Sequence, residues 1–450
     1  MAWLTAQLKR GPSPPQVIAF SFLAAIFVGA SVLALPVSHA PGKTISVLDA
    51  LFTATSAVCV TGLIVVDTGS DYSRFGQVVI MLLFQLGGIG LLTLGTFLAF
   101  ATGRRVGFNE RIRLQAQISA LEVGSIVQLV RAIVAFVFVA ELIGAAFLYL
   151  RFATTEGLGT GVLYALFHSI SAFNNAGFAL YPDSLMGYVT DPLVNFTVIA
   201  LIILGGLGFV VIVNLLGRFR QGERTPLSLH TKMALSITGF LILVALVVLL
   251  VLEWSNPATI GDMNLPDKLL ASLFQAVTPR TAGFNTLDYA QMQPASILFT
   301  LLLMFIGGNP GSTAGGIKTL TFFVLAVSVW SVFRQRGETS LYGRRISQST
   351  VVRAGVIAFS GVMLAGAALT LLTVTEPDKA FLDLLFETVS AFGTVGLSLG
   401  ITGSLSAAGK VIIIVLMYVG RIGLMTFALA LVADLNEDSI RYPTEEVVIG

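Results

Sequence analysis

The stretch Leu51–Leu63, LFTATSAVCVTGL, decides the fold, because variants of it occur three more times. They are LFHSISAFNNAGF (Leu166–Phe178), LFQAVTPRTAGF (Leu273–Phe284, one residue shorter) and LFETVSAFGTVGL (Leu385–Leu397). Each opens on Leu-Phe and closes on a glycine followed by Leu or Phe. About ten residues of helix span some 15 Å, half of a hydrocarbon core of roughly 30 Å, so such a segment enters a bilayer without crossing it. Backbone that leaves the helix at that depth is tolerated only where protein shields it or water reaches it. The four glycines, Gly62, Gly177, Gly283 and Gly396, are therefore candidates for a pore lining. Lacking a Cβ, glycine permits φ > 0, which lets carbonyl oxygens turn toward one axis and replace an ion's hydration shell. In a chain with 45 glycines, any one of them alone reads equally well as a small residue at a helix contact. Recurrence at one place in each of four segments favours the pore.

Working outward, each segment lies between two apolar stretches, and the chain is 55% hydrophobic and 11% charged, against roughly 25% charged in a typical soluble domain. Apolar runs of membrane-spanning length recur from Val17–Val37 to Val411–Val432, so the chain reads as an integral membrane protein. Lysine and arginine collect in GRRVGFNERIR from Gly103, GRFRQGERTPLSLHTK from Gly217 and FRQRGETSLYGRRISQSTVVR from Phe333, with QLKR near the start. The intervening polar segments, such as those beginning at Asp67, Tyr181 and Glu253, are acidic. By the positive-inside rule the basic loops and both termini are cytoplasmic. The expected architecture is all-α, with about eight transmembrane helices in four tandem helix, pore-helix, helix units around a pseudo-fourfold pore. The units fall at 16–102, 123–218, 230–334 and 351–433, followed by a cytoplasmic tail at 434–450.

Several function classes are disfavoured. Cys59 is the only cysteine, and His39, His168 and His230 are scattered, so no metal cluster or disulfide is expected. No Ser-His or His-carboxylate constellation suggests a membrane hydrolase. GSTAGGIKT from Gly311 misses the phosphate-loop pattern by one inserted residue, Ile317, and lacks the preceding strand. Among residues near the glycines, His168 reads as a packed polar group and Glu387 as a source of negative potential at the outer mouth.

The second apolar stretch of each unit carries its own motif: LGGIGLLTLG from Leu86, LGGLGFVVI from Leu204, IGGNPGSTAGGIKT from Ile306 and VGRIGLMTF from Val419. Aligned on these, Arg421 takes the place of Gly88, Gly206 and Gly308. An arginine at mid-helix costs about 2.5–3.5 kcal/mol on insertion scales, so it is expected to face a hydrated cavity and backbone carbonyls rather than lipid. The competing reading pairs it with a carboxylate, Glu141 being the clearest candidate. In the third unit, FIGGNPGSTAGGIKTL (Phe305–Leu320) holds five glycines and a proline, and no regular helix is expected across it.

At these residues the chain resembles the Trk/Ktr/HKT superfamily of potassium transport proteins, over nearly its whole length and most closely in its bacterial Ktr membrane subunits. The resemblance implies a filter at Thr61, Gly62, Ala176, Gly177, Ala282, Gly283, Val395 and Gly396, whose backbone carbonyls bind K+. Glycine at all four filter positions implies potassium preference; serine at the first goes with sodium in some plant relatives. Asn174, Asn175, Thr281, Thr394 and Arg280 are expected to support the filter. The loop 307–319 is expected to be an intramembrane gate built from Gly307, Gly308, Asn309, Pro310, Gly311, Ser312, Thr313, Ala314, Gly315, Gly316 and Lys318, with Arg421 holding it or repelling cations. The resemblance further implies a multi-pass protein of the cell inner membrane, working as a homodimer on a cytoplasmic nucleotide-binding regulatory subunit of RCK type. No cofactor and no nucleic-acid partner is implied, and sodium dependence stays open. The alternative to a conduction pathway is a secondary symporter coupling K+ to Na+ or H+.

Overall fold

The computed structural model describes residues 14–90, 126–221, 227–335, 338–423 and 427. Four long apolar helices dominate: α1 (Pro14–Leu33), α4 (Ile126–Thr155), α8 (Leu229–Glu253) and α12 (Gln348–Thr375). Each is followed by a short helix carrying one of the Leu-Phe segments: α2 (Val47–Val58), α5 (Leu158–Asn174), α9 (Leu265–Val277) and α13 (Phe381–Gly393). A third apolar helix then follows in each case: α3 (Arg74–Ile89), α6 (Pro192–Gly206), α10 (Pro294–Phe305) and α14 (Ala407–Ile422). Helices α7 (Phe209–Gln221) and α11 (Thr319–Phe333) continue from α6 and α10. A two-residue hairpin, β1 (Ser340–Leu341) with β2 (Arg344–Arg345), joins α11 to α12.

Side-chain caps set the starts of α3, α6 and α14, since a helix's first N–H groups lack intrahelical partners. Ser73 Oγ accepts from Gly76 N, Asp191 Oδ1 from Val194 N and Ser406 Oγ from Gly409 N. Several of them end on a glycine. Among the described residues, α1, α4, α8 and α12 supply stretches long and apolar enough to cross a membrane, with the pair α6–α7, bent by 99°, as a fifth if counted as one span. The run Val411–Val432 is not one helix, because α14 stops at Ile422. The physical cause is the last glycine of the GGxG-like motif. Gly90, Gly208 and Gly423 take φ of 90°, 94° and 88°, which no right-handed helix accommodates.

The apolar core runs within each unit and also joins one unit to the next. One cluster joins Ile18, Phe22 and Phe52 of the first unit to Leu384, Ile413 and Met417 of the fourth. Another joins Phe173 and Val198 to Phe274 and Val277, and a third joins Leu301 and Met304 to Phe386. The first and fourth units are also tied by a Lys410–Asp49 ion pair at 2.7 Å and by Tyr418 Oη donating to Ala19 O at 2.8 Å.

Candidate ion pathway

The four candidate filter glycines meet in cyclic order. A Cβ placed on Gly62 would fall 2.6 Å from Ala176 O; on Gly177, 3.0 Å from Ala282 O; on Gly283, 2.5 Å from Val395 O. A Cβ on Gly396 would collide with Thr61 O. Each glycine thus abuts the carbonyl that precedes the next glycine, and the circuit closes. All four have positive φ, of 92°, 69°, 78° and 92°. Two residues before each glycine, Val60, Asn175, Thr281 and Thr394 also have positive φ, although none is glycine. Such residues cost about 1–2 kcal/mol in this region, so the surroundings must hold them.

The holding groups are a hydroxyl at the sixth place of every segment: Ser56, Ser171, Thr278 and Ser390. Ser56 Oγ accepts from Gly62 N at 3.1 Å and Ser390 Oγ from Gly396 N at 3.2 Å. Ser171 Oγ and Thr278 Oγ1 instead donate to Phe178 O and Phe284 O, just past their glycines. The carbonyls of the same four residues accept from Thr61, Ala176, Ala282 and Val395 N at 2.8–3.0 Å. In the second and fourth segments the third place reaches behind the outgoing chain. His168 Nε2 accepts from Leu180 N at 3.3 Å while its Nδ1 donates to Tyr164 O, and the Glu387 carboxylate accepts from Ser398 and Thr402 hydroxyls at 2.8 and 2.5 Å.

Beneath the ring, the segment between α10 and α11 is non-helical. Several of its backbone groups are nonetheless paired, as buried backbone tends to be. Gly307 N donates to Ile317 O at 2.8 Å, Asn309 N to Gly206 O at 3.1 Å, and Thr313 N to Gly205 O at 3.2 Å, while Gly311 O accepts from Phe209 N at 2.8 Å. Thr313 Oγ1 donates to Phe173 O at 3.2 Å, at the end of α5. Arg421 extends from α14 across this level, donating from Nη1 to Thr313 O and from Nη2 to Gly87 O. It thereby bonds the third and first units from the fourth.

A family model described as "TrkH: Cation transport protein" matches residues 16–441. The chain belongs to the TrkH cation transport family. It is 45% identical to "Ktr system potassium uptake protein B" of Bacillus subtilis, covering 97% of each chain. It is 38% identical to "Potassium/sodium uptake protein NtpJ" of Enterococcus hirae over the whole of both chains. The solved structure of the potassium transporter TrkH from Vibrio parahaemolyticus superposes with a TM-score of 0.73 at 21% identity, over 92% of this chain and 85% of that one, a likeness of fold. The TrkH family is one of membrane cation transporters and not of enzymes.

In this TrkH-family chain several expected roles change partners. Asn174 and Asn175 do not brace the ring's carbonyls. Asn174 Nδ2 donates to Gln85 Oε1 at 2.5 Å and Glu141 Oε1 at 3.0 Å, and Asn175 Nδ2 donates to Thr313 Oγ1 at 3.3 Å. Among the described residues, the hydroxyls of Thr61, Thr281 and Thr394, and Nε of Arg280, find no hydrogen-bond partner. Arg421 meets carbonyls, whereas Glu141 is engaged by Gln85 and Asn174 amides. Lys318, expected to snorkel or act near the gate, is half-buried and donates to Ala314 O at 2.6 Å within the loop. Ser312 Oγ donates to Asn309 O at 2.6 Å, and Gly315 and Gly316 pack on Thr394 and Gly393. Gly308 lies against Ala314, and Pro310 O approaches Gly208. The sixth-place hydroxyls were not singled out in the sequence, although Ser, Ser, Thr and Ser in register were the available signal.

Proposed function

We propose that the chain takes up potassium through a channel-like pore whose filter is the ring of Thr61, Ala176, Ala282 and Val395 carbonyls beside Gly62, Gly177, Gly283 and Gly396. The observation that carries this reading is the closed circuit of glycines, each abutting the next unit's carbonyl. Such a ring substitutes fixed oxygens for water around a dehydrated cation. Each short helix ends a few residues before its glycine, so four carboxy-terminal helix ends, the negative ends of their dipoles, converge on the ion. Potassium is the cargo named for the Bacillus subtilis relative, and potassium with sodium for the Enterococcus hirae one. The loop 307–319 is the gate, locked across the pathway by Arg421. Pseudo-fourfold units, a homodimer in the inner membrane, and a nucleotide-binding regulatory subunit on the basic cytoplasmic loops belong to the same reading.

Reversal potentials of the purified chain in liposomes test it. Under opposed potassium and sodium gradients the potential follows potassium alone. A potential that moves with the proton gradient, or with sodium at fixed potassium, would instead indicate the coupled symporter.

A further inference from the structure

Arg280 stands three residues before Gly283, just past the end of α9, which stops at Val277 and is capped by Thr278. It is 7% exposed, and its Nε is buried without a hydrogen-bond partner. Among the described residues no carboxylate pairs with it: the ion pairs there join Lys43 to Asp71, Arg151 to Asp191, Arg345 to Glu338 and Lys410 to Asp49. In the other three segments the same place, three residues before the glycine, is held by Cys59, Asn174 and Gly393. A buried charge without a counter-charge is costly, and an ionisable residue kept inside a membrane protein marks function by default. The end of α9 offsets part of that cost, because the negative end of a helix dipole favours a cation. Arg280 in turn cancels part of the negative potential that this helix end directs at the ring. Two peptide steps of about 3.8 Å each separate its Cα from that of Ala282, whose carbonyl abuts Gly177.

We propose that Arg280 sets the valence of the ion that the ring accepts, its uncompensated charge holding divalent cations out of a site sized for potassium. The inference rests on the pore reading. Carbonyl spacing sorts ions by size, so it does not separate potassium from barium, a divalent cation of similar size. Charge does separate them. Repulsion by a fixed cation scales with ionic charge: at an effective dielectric of about 20, a unit charge about 10 Å away lowers the affinity for a monovalent ion roughly tenfold and for a divalent ion roughly a hundredfold. Burial keeps that field from being screened by salt. Arg280 is thus a specificity-determining residue that acts through its charge and not by bracing the backbone of the third segment.

The test is rubidium uptake into liposomes holding the purified chain, inhibited by external barium, in the unsubstituted chain and in Arg280→Met and Arg280→Gln. Methionine puts an apolar side chain where an unpaired charge was buried, a change that burial favours, and glutamine keeps hydrogen-bonding capacity without charge. In both variants the inhibition constant for barium falls roughly a hundredfold, while the half-saturating rubidium concentration falls roughly tenfold. A structural defect in the ring would move both ions alike. Equal shifts for rubidium and barium, or none for either, overturn the proposal alone where barium still competes with rubidium. Barium that fails to compete with rubidium in the unsubstituted chain overturns the pore reading and the proposal with it.

Discussion

Arg421, in the last turn of α14, donates its guanidinium to the carbonyl of Thr313, at the centre of the non-helical loop between α10 and α11. Every polar atom of Thr313 is engaged: its N by Gly205 O, its Oγ1 by Phe173 O and Asn175, its carbonyl by Arg421. The second Arg421 bond, to Gly87 O, reaches the first unit. One loop residue thus collects contacts from the end of α5, from α6 and from Arg421 of α14. This is how a latch beneath a pore would be built.

Arg421→Ala removes two charge-assisted bonds, each worth about 1.5–3 kcal/mol. Basal rubidium leak in liposomes rises at least tenfold, at about 1.4 kcal/mol per factor of ten, while the potassium to sodium permeability ratio is retained. A folded variant with flux abolished contradicts the latch.

Thr313→Val keeps the carbonyl that Arg421 uses and loses only the hydroxyl bonds to Phe173 O and Asn175. At about 1 kcal/mol for each of the two neutral bonds, leak rises by up to roughly thirtyfold, less than for Arg421→Ala with its two charge-assisted bonds. Removing Gly311–Gly316 altogether abolishes regulated flux, and flux that stays regulated contradicts the gate.

Gly62→Ala and Gly42→Ala separate backbone strain from pore closure. Both glycines have positive φ, 92° and 77°, but a Cβ on Gly42 meets nothing within 4 Å, whereas on Gly62 it meets Ala176 O at 2.6 Å and the Gly177 Cα at 2.9 Å. Each loses about 1–2 kcal/mol of stability from strain, read as a lowered melting temperature in detergent. Only Gly62→Ala loses potassium flux.

Ser390→Ala and Ser56→Ala each free the N–H of a ring glycine. The cost is about 1–3 kcal/mol for an unsatisfied buried donor, and the loosened ring admits sodium, so the permeability ratio falls. Cysteine at either position restores it in part, because a thiol is a weak acceptor.

Gly205→Ala and Gly420→Ala place a Cβ onto the carbonyls of Phe173 and Phe392, at the ends of α5 and α13. Overpacking of this kind costs about 1–3 kcal/mol, visible as a lower melting temperature. Gly217→Ala, with nothing within 4 Å, is neutral or stabilising.

How far these features are legible in the sequence depends on whether a pattern or a contact creates them. Gly62, Gly177, Gly283 and Gly396 stand out because four segments share a register, and a ring of small residues needs little else to be recognised. Arg421 stands out because a charge inside an apolar run demands a polar partner. The positive φ of Val60, Thr281 and Thr394 is not legible, since valine and threonine disfavour that conformation and the hydrogen bonds around each glycine come from contacts and not from local preference. The breaks at Gly90, Gly208 and Gly423 hide inside runs that hydropathy reads as continuous, because a lone glycine is tolerated in a helix at about 1 kcal/mol. Asn174, close to Gly177 in sequence, turns away to Glu141 because α4 brings a buried carboxyl within its reach.

Anomalous diffraction from crystals of the chain grown with thallium, a potassium mimic, tests the central claim most directly. The account predicts anomalous density on the axis of the ring, coordinated by the carbonyl oxygens of Thr61, Ala176, Ala282 and Val395. Density elsewhere in the bundle with none inside that ring would contradict it.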